Sequence, residues 1–454
     1  MATIPKIGLE IHAYLDTNEK LFCTCKVQHG AKHAKPNTNI CPICTGQPGC
    51  KPQLPNNEAI KKAIQIGLIL NCKINEKIIF QRKHYSWPDN PKGYQNTISG
   101  YHAIPNAEKG KFLEIGITEC HVEEDPAAWN PETGEIDYNR SGSPLIEIVT
   151  DPDFKSSEQV IEWLKQLTTT LGYIKAIDKK AGLKADVNVS INNGTRIEIK
   201  NINSLTNIKN AIESEISRQE KDPPKEQETR MFNSKKNQTI KMRSKENAQD
   251  YRFISDPDLP QIKIEKSEIQ KIKSQLPETP HEKLDKLIKK HKIPKHSAEL
   301  LTKNIDIVEL FEKTVSKIKP SIAITWTIDE LLGVLNHSKK SLGEVNISHE
   351  HFIELLELVE RKTLTPLKAK DLLRQFIPKS FSPKTKAKSQ AQISDKSQVN
   401  KLAEKAIKEN PKAVEDYKSG NQNSLNFLIG SVMKTSNKRA DYKVVRELLE
   451  KMLK

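Results

Sequence analysis

What most restricts the fold of this chain is a set of short segments in which apolar residues alternate with acids, amides and a histidine. At the start, Ile7, Leu9 and Ile11 alternate with Gly8, Glu10, His12 and Tyr14. A period of two belongs to a strand, which rises about 3.3 Å per residue, so Glu10 and His12 project from one face roughly 7 Å apart. Asp186, Asn188 and Ser190 stand in the same way against Val187, Val189 and Ile191, and Arg196, Glu198 and Lys200 against Ile197 and Ile199. In 145–149 (LIEIV), Glu147 is alone in an apolar run, where a carboxylate is costly unless it is paired or binds a cation. A merely solvated sheet face alternates too, but acids and amides are depleted in strands, so this face is expected to carry chemistry. The string 121–125 (HVEED) adds three consecutive carboxylates whose mutual repulsion a divalent cation would relieve.

This strand pattern fills residues 1 to about 260, interrupted by helical stretches expected at 156–171 and 204–219. After about 265 the apolar residues recur at three and four, as in Leu284, Leu287 and Ile288, then Leu300, Leu301, Ile307, Leu310 and Phe311, which is a helical period. The expected class is therefore α+β, and 454 residues are too many for one core. A Pro/Ser/Lys segment, 378–394, has no large apolar face and is expected to be a linker to a small helical module at 395–454.

Charge follows the same division. Residues 1–260 carry 35 basic and 33 acidic side chains, a net +2, whereas 261–454 carry 38 and 25, a net +13. Residues 380–454 alone contribute +8, from 16 basic and 8 acidic groups, with few aromatics. Such a field favours the phosphate backbone of structured RNA or DNA over stacking on single-stranded bases. No apolar stretch approaches the roughly 18 residues of a membrane helix, and the opening MATIPKIGLEIHA predicts no secretory leader.

Four of the seven cysteines cluster as Cys23-x-Cys25 and, fifteen residues on, Cys41-x2-Cys44. Two thiolate pairs on turns point to tetrahedral Zn²⁺ with Zn–S near 2.3 Å, closed to water and hence structural. An uneven cysteine count with this clustering suits a reducing compartment, and the expected location is the cytoplasm. His29 and His33 lie inside the loop as possible substitutes for one ligand, and Cys50, Cys72 and Cys120 are expected to be packed thiols. Neither common glycine-rich nucleotide loop is present, so any nucleotide must bind by other means.

Strings across almost the whole chain, in order, are similar to the B subunit of the glutamyl/aspartyl-tRNA amidotransferase. They are GLEIH (8–12), CPIC (41–44), PDNPKGYQ (88–95), HVEED, NRSGSPLIEIV (139–149), DVNVS (186–190), EIKNINS (198–204), QETR (227–230), MRSKE (242–246), DYRF (250–253) and PDLP (257–260). In the tail, NFLIGSVMK (426–434) resembles the family's tRNA-binding YqeY-like end. The archaeal paralogue carries a large inserted domain for which this chain looks too short. The resemblance implies a catalytic cradle of mixed and antiparallel sheet with a zinc loop at 1–293, a helical domain at 294–377, the linker, and the YqeY-like tail at 395–454.

The resemblance also implies a reaction. ATP phosphorylates the side-chain carboxylate of Glu on tRNA(Gln), or Asp on tRNA(Asn), and ammonia from a separate amidase subunit displaces phosphate. Its implied cofactors are ATP, Mg²⁺ and Zn²⁺. Its implied partners are the amidase, or A, subunit, the small C subunit and mischarged tRNA, with no role for DNA or a membrane. Glu10, His12, Glu124 and Glu147 stand where family members bind Mg²⁺; Lys83 and Lys200 would pair with phosphate; Asp186, Asn188 and Glu198 would orient metal, water or ammonia. Three positions depart from the family: Pro126-Ala127-Ala128 replaces Ala-Gly-Lys, Trp87 replaces a tyrosine, and His84 replaces an asparagine. A zinc-stabilised tRNA-binding scaffold without catalysis would keep the cysteines and the basic tail, but has no use for Glu10, His12 and Glu147 on strand faces. A stand-alone glutamine amidase is disfavoured, since no cysteine has a recognisable nucleophile setting and no Gly/Ser-rich signature occurs.

Overall fold

The computed structural model describes residues 4–28, 34–244, 252–386, 393 and 396–453. The alternating segments assemble into one twelve-stranded sheet. Its strands are β1 (Pro5–Tyr14), β2 (Lys73–Ile74), β3 (Gln81–His84), β4 (Tyr94–Thr97), β5 (Ala107–Phe112), β6 (Ile115–Glu124), β7 (Pro144–Thr150), β8 (Leu183–Ile191), β9 (Ile197–Ile202), β10 (Glu228–Asn233), β11 (Gln238–Ser244) and β12 (Ile254–Ser255). The order across the sheet is β11-β10-β9-β8-β1-β7-β6-β4-β3-β12, with β5 also paired to β6 and β2 to β5. Every pairing is antiparallel except β9 with β10, which are parallel. That pair needs a crossover, and helix α3 (Leu205–Lys221) supplies it.

The apolar half of each alternating segment points down. Ile7, Leu9, Ile11, Val122, Ile146, Ile148, Val187, Val189, Ile197 and Ile199 are all buried. Beneath them lie helices α1 (Asn57–Ile69), α2 (Ser157–Tyr173) and α3. The latter two start where Ser156 and Ser204 cap them, accepting from the Gln159 and Asn207 backbone amides. Helices thus cover one face of the sheet, leaving the other for the acids and amides.

The chain divides into two compact units, 1–279 and 280–454. The division falls earlier than the 293/294 boundary expected from sequence. The helix Pro280–His291 belongs with the helices after it, because it contacts the helix Lys295–Leu301 and its Lys283 pairs with Glu312 at 2.5 Å. In the second unit the predicted helical period is realised, with Leu287, Leu301, Ile307, Leu310 and Phe311 buried. The helices Lys396–Glu409, Pro411–Lys418, Asn423–Thr435 and Tyr442–Leu453 enclose a core of their own, around Ala403, Leu428, Val432 and Leu449.

The expected linker at 378–394 differs at its start. Ser382 Oγ and the Lys384 backbone amide both donate to the Glu354 carboxylate, at 2.6 and 2.8 Å, and Phe381 sits edge-on to Phe376. Residues 387–392, 394 and 395 lie outside the described residues. The terminal module is also tied to the helices before it, by a 2.9 Å ion pair between Lys438 and Asp371 and by Thr365 Oγ1 donating to the Lys438 carbonyl at 2.5 Å.

Candidate active site and cysteine cluster

Strand register places the chemistry. His12 of β1 is opposite Glu147 of β7, and Glu147 is opposite His121 of β6. Opposed residues share a face, so the three form a row. His12 Nε2 lies 3.4 Å from Glu147 Oε2 and 3.5 Å from Glu123 Oε1. His121 Nε2 lies 3.2 Å from the same Glu147 oxygen, and its Nδ1 is 3.1 Å from Glu119 Oε1. Burial pushes both imidazoles down, but the facing carboxylates, Glu147 foremost, more than compensate; His12 is raised to about 9 and His121 to about 10. The same histidines hold Glu147 well below the usual carboxylate range against its own burial.

A second group adjoins it. Glu10, Asp186 and Glu198 bring their oxygens within 4.8 Å of one another. Lys200 Nζ sits on this group, 2.6 Å from Asp186 Oδ2 and 2.9 Å from Glu198 Oε1. Asn188 Nδ2 donates to Glu10 Oε1 at 3.1 Å, while its buried Oδ1 accepts from no described residue. Burial, then the Glu147 charge, raises the Glu10 carboxyl. Lys83 of β3 is close enough for its charge to act on Glu123.

The structure brings together Glu10, His12, Glu147, Asp186, Asn188, Glu198 and Lys200 on one face, as the alternation predicts. It does not bring Glu124 to that group. Alternation along β6 turns Glu123 toward His12 and Glu124 away, where Glu124 accepts from the Asn96 backbone amide at 2.8 Å and pairs with Lys92. Consecutive residues of a strand cannot share a face, and that rule was available from the sequence. His121 is the other omission, although its two-residue spacing from Glu123 was visible. At the departures from the family, Arg140 closes the turn that lacks the lysine, donating to the Pro126 and Ala127 carbonyls and pairing with Asp125 at 3.2 Å. His84 is hydrogen-bonded to the Arg252 carbonyl at 2.9 Å, and Trp87, over half exposed, meets Trp129 edge-on.

The donor set of His12, Glu123 and Glu147 suits a small hard cation. Neighbouring ligands of an octahedral Mg²⁺ with bonds of about 2.1 Å are roughly 3 Å apart, close to the 3.4 and 3.5 Å found. A protonated His12 has no lone pair on Nε2, so a cation entering here must displace that proton. Because the group is charged below about 9, metal affinity is expected to rise with pH and to level off above that value. At pH 7.5, binding should release about one proton, visible as buffer-dependent enthalpies in titration calorimetry with Mn²⁺ or Mg²⁺. Equal enthalpies in buffers of different ionisation heat would remove His12 from the ligand set.

The four cysteines also converge, all Sγ atoms lying within 4.8 Å of one another. Cys41 and Cys44 are 3.8 Å apart, the separation of about 3.8 Å that tetrahedral Zn–S bonds of 2.3 Å require. The chain turns away just after Cys44 at Gly46, at φ +65°, where a Cβ would strike the Pro91 carbonyl. A hydrogen bond from Cys23 lowers the Cys44 thiol against its burial, aided by the Cys41 backbone and by Lys20. Lys20 is buried, donating to the Asn39 and Tyr138 carbonyls, and its charge would partly offset that of a four-thiolate site. Cys72 and Cys120 are buried as expected, whereas Cys50 is exposed, on a loop that gives it no core to enter. His29 and His33 lie outside the described residues.

Comparison with known proteins matches residues 5–270 to the GatB/GatE catalytic domain and 309–453 to the GatB domain. The chain is 41% identical to the B subunit of the aspartyl/glutamyl-tRNA(Asn/Gln) amidotransferase of Methanococcus maripaludis, over 99% of this chain and 98% of that one. It is 40% identical to the protein of the same name from Methanothermobacter thermautotrophicus, over 99% and 100%. No described helix is long and apolar enough to cross a membrane.

Proposed function

We propose that this chain, which belongs to the GatB family of tRNA-amidotransferase B subunits, makes the carboxylate of a misacylated Glu or Asp reactive toward ammonia. A carboxylate is a poor electrophile because its leaving group would be oxide or hydroxide. A carboxylate oxygen attacks the γ-phosphorus of ATP, the bond to the bridging oxygen breaks, and ADP leaves. Ammonia then attacks the acyl carbon, the bond to the phosphate oxygen breaks with its electron pair, and the surplus proton passes to a base. The products are Gln-tRNA(Gln) or Asn-tRNA(Asn), ADP and phosphate.

The observation that carries this reading is the pair of adjacent acid groups on one sheet face, His12 with Glu123 and Glu147, and Glu10 with Asp186 and Glu198. Phosphoryl transfer needs charge neutralised in one place and an amine received in the next. His12, Glu123 and Glu147, with Glu10 beside them, would hold Mg²⁺, which when bound neutralises charge gathered between the phosphates and the carboxylate. Lys83 faces the nucleotide phosphates. Asn188 Oδ1, a buried acceptor, suits an N–H of ammonia, and Glu10, raised above the ordinary carboxylate, is a fitting base for its proton. Lys200 holds Asp186 and Glu198 in place and can exchange them for phosphate as charge moves. The cysteine cluster would hold structural zinc. Ammonia would come from a partner amidase, itself joined to a small third protein, in the cytoplasm where tRNA is used.

The test is the purified complex with ATP, glutamine or ammonium, and tRNA carrying Glu or Asp. ATP hydrolysis should depend on the mischarged tRNA, and the amide should form only with ATP; hydrolysis indifferent to the tRNA would leave the scaffold reading in possession. The same assay decides between Glu and Asp.

The basic tail would grip the tRNA body. Removing it would break the Lys438 contacts described above, so neutralising exposed lysines is the cleaner experiment. Changing Lys401, Lys408, Lys412 and Lys418 to Gln is expected to weaken tRNA binding. It should also flatten the slope of log affinity against log salt by about 0.7–0.9 for each phosphate no longer neutralised, without altering ammonium dependence. An unchanged slope would make the tail a solubilising surface.

A further inference from the structure

The row formed by His121, Glu147 and His12 does not end at β1. On the other side of His12, β8 places Lys184 directly opposite. Strands are spaced about 4.8 Å apart, so Lys184 stands one strand from His12 and two from Glu147, on the same face. It is also two residues from Asp186 on β8, and thus borders both acid groups.

The other lysines of this face are spoken for. Lys200 is held by Asp186 and Glu198, and Lys83 stands on the far side, where its charge acts on Glu123. Lys184 is only half-buried, yet among the described residues no carboxylate is within ion-pair reach of it and no acceptor takes a hydrogen bond from it. Its charge is felt by Asp89, a carboxyl that burial pushes up and that Arg140, its own amide and Lys184 pull back down. A lysine set in a row of acids and imidazoles, with no anion of its own, is placed to receive an anion that arrives with a substrate.

We propose that Lys184 binds the side-chain carboxylate of the aminoacyl group that is to be phosphorylated. This rests on the kinase reading given above and assigns its acceptor subsite. The nucleotide phosphates belong with Glu123 and Lys83, toward β6 and β3. In-line transfer puts the accepting oxygen on the side away from the departing ADP, which is the side of β8. Ammonia must reach the carbon of the same group, and the acids and Asn188 suited to receive it lie on β8, β9 and β1. One carboxylate oxygen forms the bond to phosphorus while the other stays on Lys184. That second oxygen becomes the carbonyl of the acyl phosphate and takes negative charge when ammonia adds, so the ammonium group stabilises it at both steps and never gives up its proton.

The experiment uses the assembled complex with ammonium chloride as nitrogen donor, which bypasses the amidase. K184M is expected to lower kcat/KM for mischarged tRNA on the order of 10² to 10³-fold, the size of effect seen when one oxyanion donor is removed. Its dissociation constants for ATP, by equilibrium dialysis, and for Mn²⁺ should match wild type. K184R should recover most of the loss, since a guanidinium also holds a carboxylate; K184Q replaces K184M in the comparison if the latter melts early. A loss seated in ATP affinity would move Lys184 to the nucleotide phosphates and overturn the assignment, and wild-type kinetics in K184M would overturn it altogether. A wild-type complex that forms no amide from ATP and ammonium refutes the function itself, and the acceptor subsite falls with it.

Discussion

Glu147→Gln is expected to cut amide formation on the order of 10² to 10³-fold while tRNA affinity and zinc content stay as they were. Glutamine keeps the volume and one hydrogen-bonding oxygen, so what is removed is the charge. That charge lies between His12 and His121, at 3.4 and 3.2 Å, in the row where a divalent cation would be held. Losing it withdraws a metal ligand and also leaves the buried His121 and the half-buried His12 without their chief anion. Removing one partner of a buried pair costs about 3–5 kcal/mol, so rates must be normalised to the folded fraction by circular dichroism. The paired variants Glu123→Gln and Glu124→Gln sharpen the result. Glu123 faces His12 whereas Glu124 faces Lys92, and the first change should approach the Glu147 variant while the second should cost far less. Wild-type turnover in Glu147→Gln, or a reversed order of the pair, would remove this group as the seat of phosphoryl transfer.

The strand face was legible because burial enforces a period of two. Once Ile7, Leu9 and Ile11 must be inside, Glu10 and His12 have nowhere to go but the other face. Register was not legible. That His12 opposes Glu147 and Lys184, residues far apart in the chain, follows from how β7 and β8 enter the sheet on either side of β1, and no local pattern encodes it. Lys184 shares the face of Asp186 by its two-residue spacing, but nothing in the sequence sets it opposite His12, while Lys200, expected to meet phosphate, is bound to Asp186 and Glu198. Helices were legible to within a residue or two where serines cap them. The compact units divide at 279/280 and not at 293/294, because an amphipathic helix such as Pro280–His291 does not declare in sequence which core takes its apolar side.

Metal analysis is expected to find about one zinc per chain, and Cys41→Ser should lower the melting temperature of the first unit while leaving activity at low temperature nearly intact. The reason lies in what the cysteine loop touches. Ser141 Oγ donates to the Cys44 carbonyl at 2.7 Å, and the Leu21 amide donates to the Gly142 carbonyl at 2.8 Å. Gly142 in turn donates to the Asp125 carbonyl at 2.9 Å, two residues beyond Glu123. The loop thus braces the end of β6, but contributes none of the side chains assigned to Mg²⁺ or substrate, which stand on strands whose ladders do not depend on it. Four thiolates within 4.8 Å of one another would repel without a cation, and structural zinc sites of this kind bind with on the order of 10–16 kcal/mol at neutral pH. A serine weakens such a site without abolishing it. If a few kcal/mol are lost, a unit of this size should melt on the order of 5–10 °C lower. Chelation of the wild-type protein should reproduce the shift, with the loss of activity following the melting curve and not preceding it. A zinc-free protein of undiminished melting temperature would show that hydrogen bonds alone hold the loop; activity lost at low temperature, before melting, would show that the brace on β6 sets the position of Glu123.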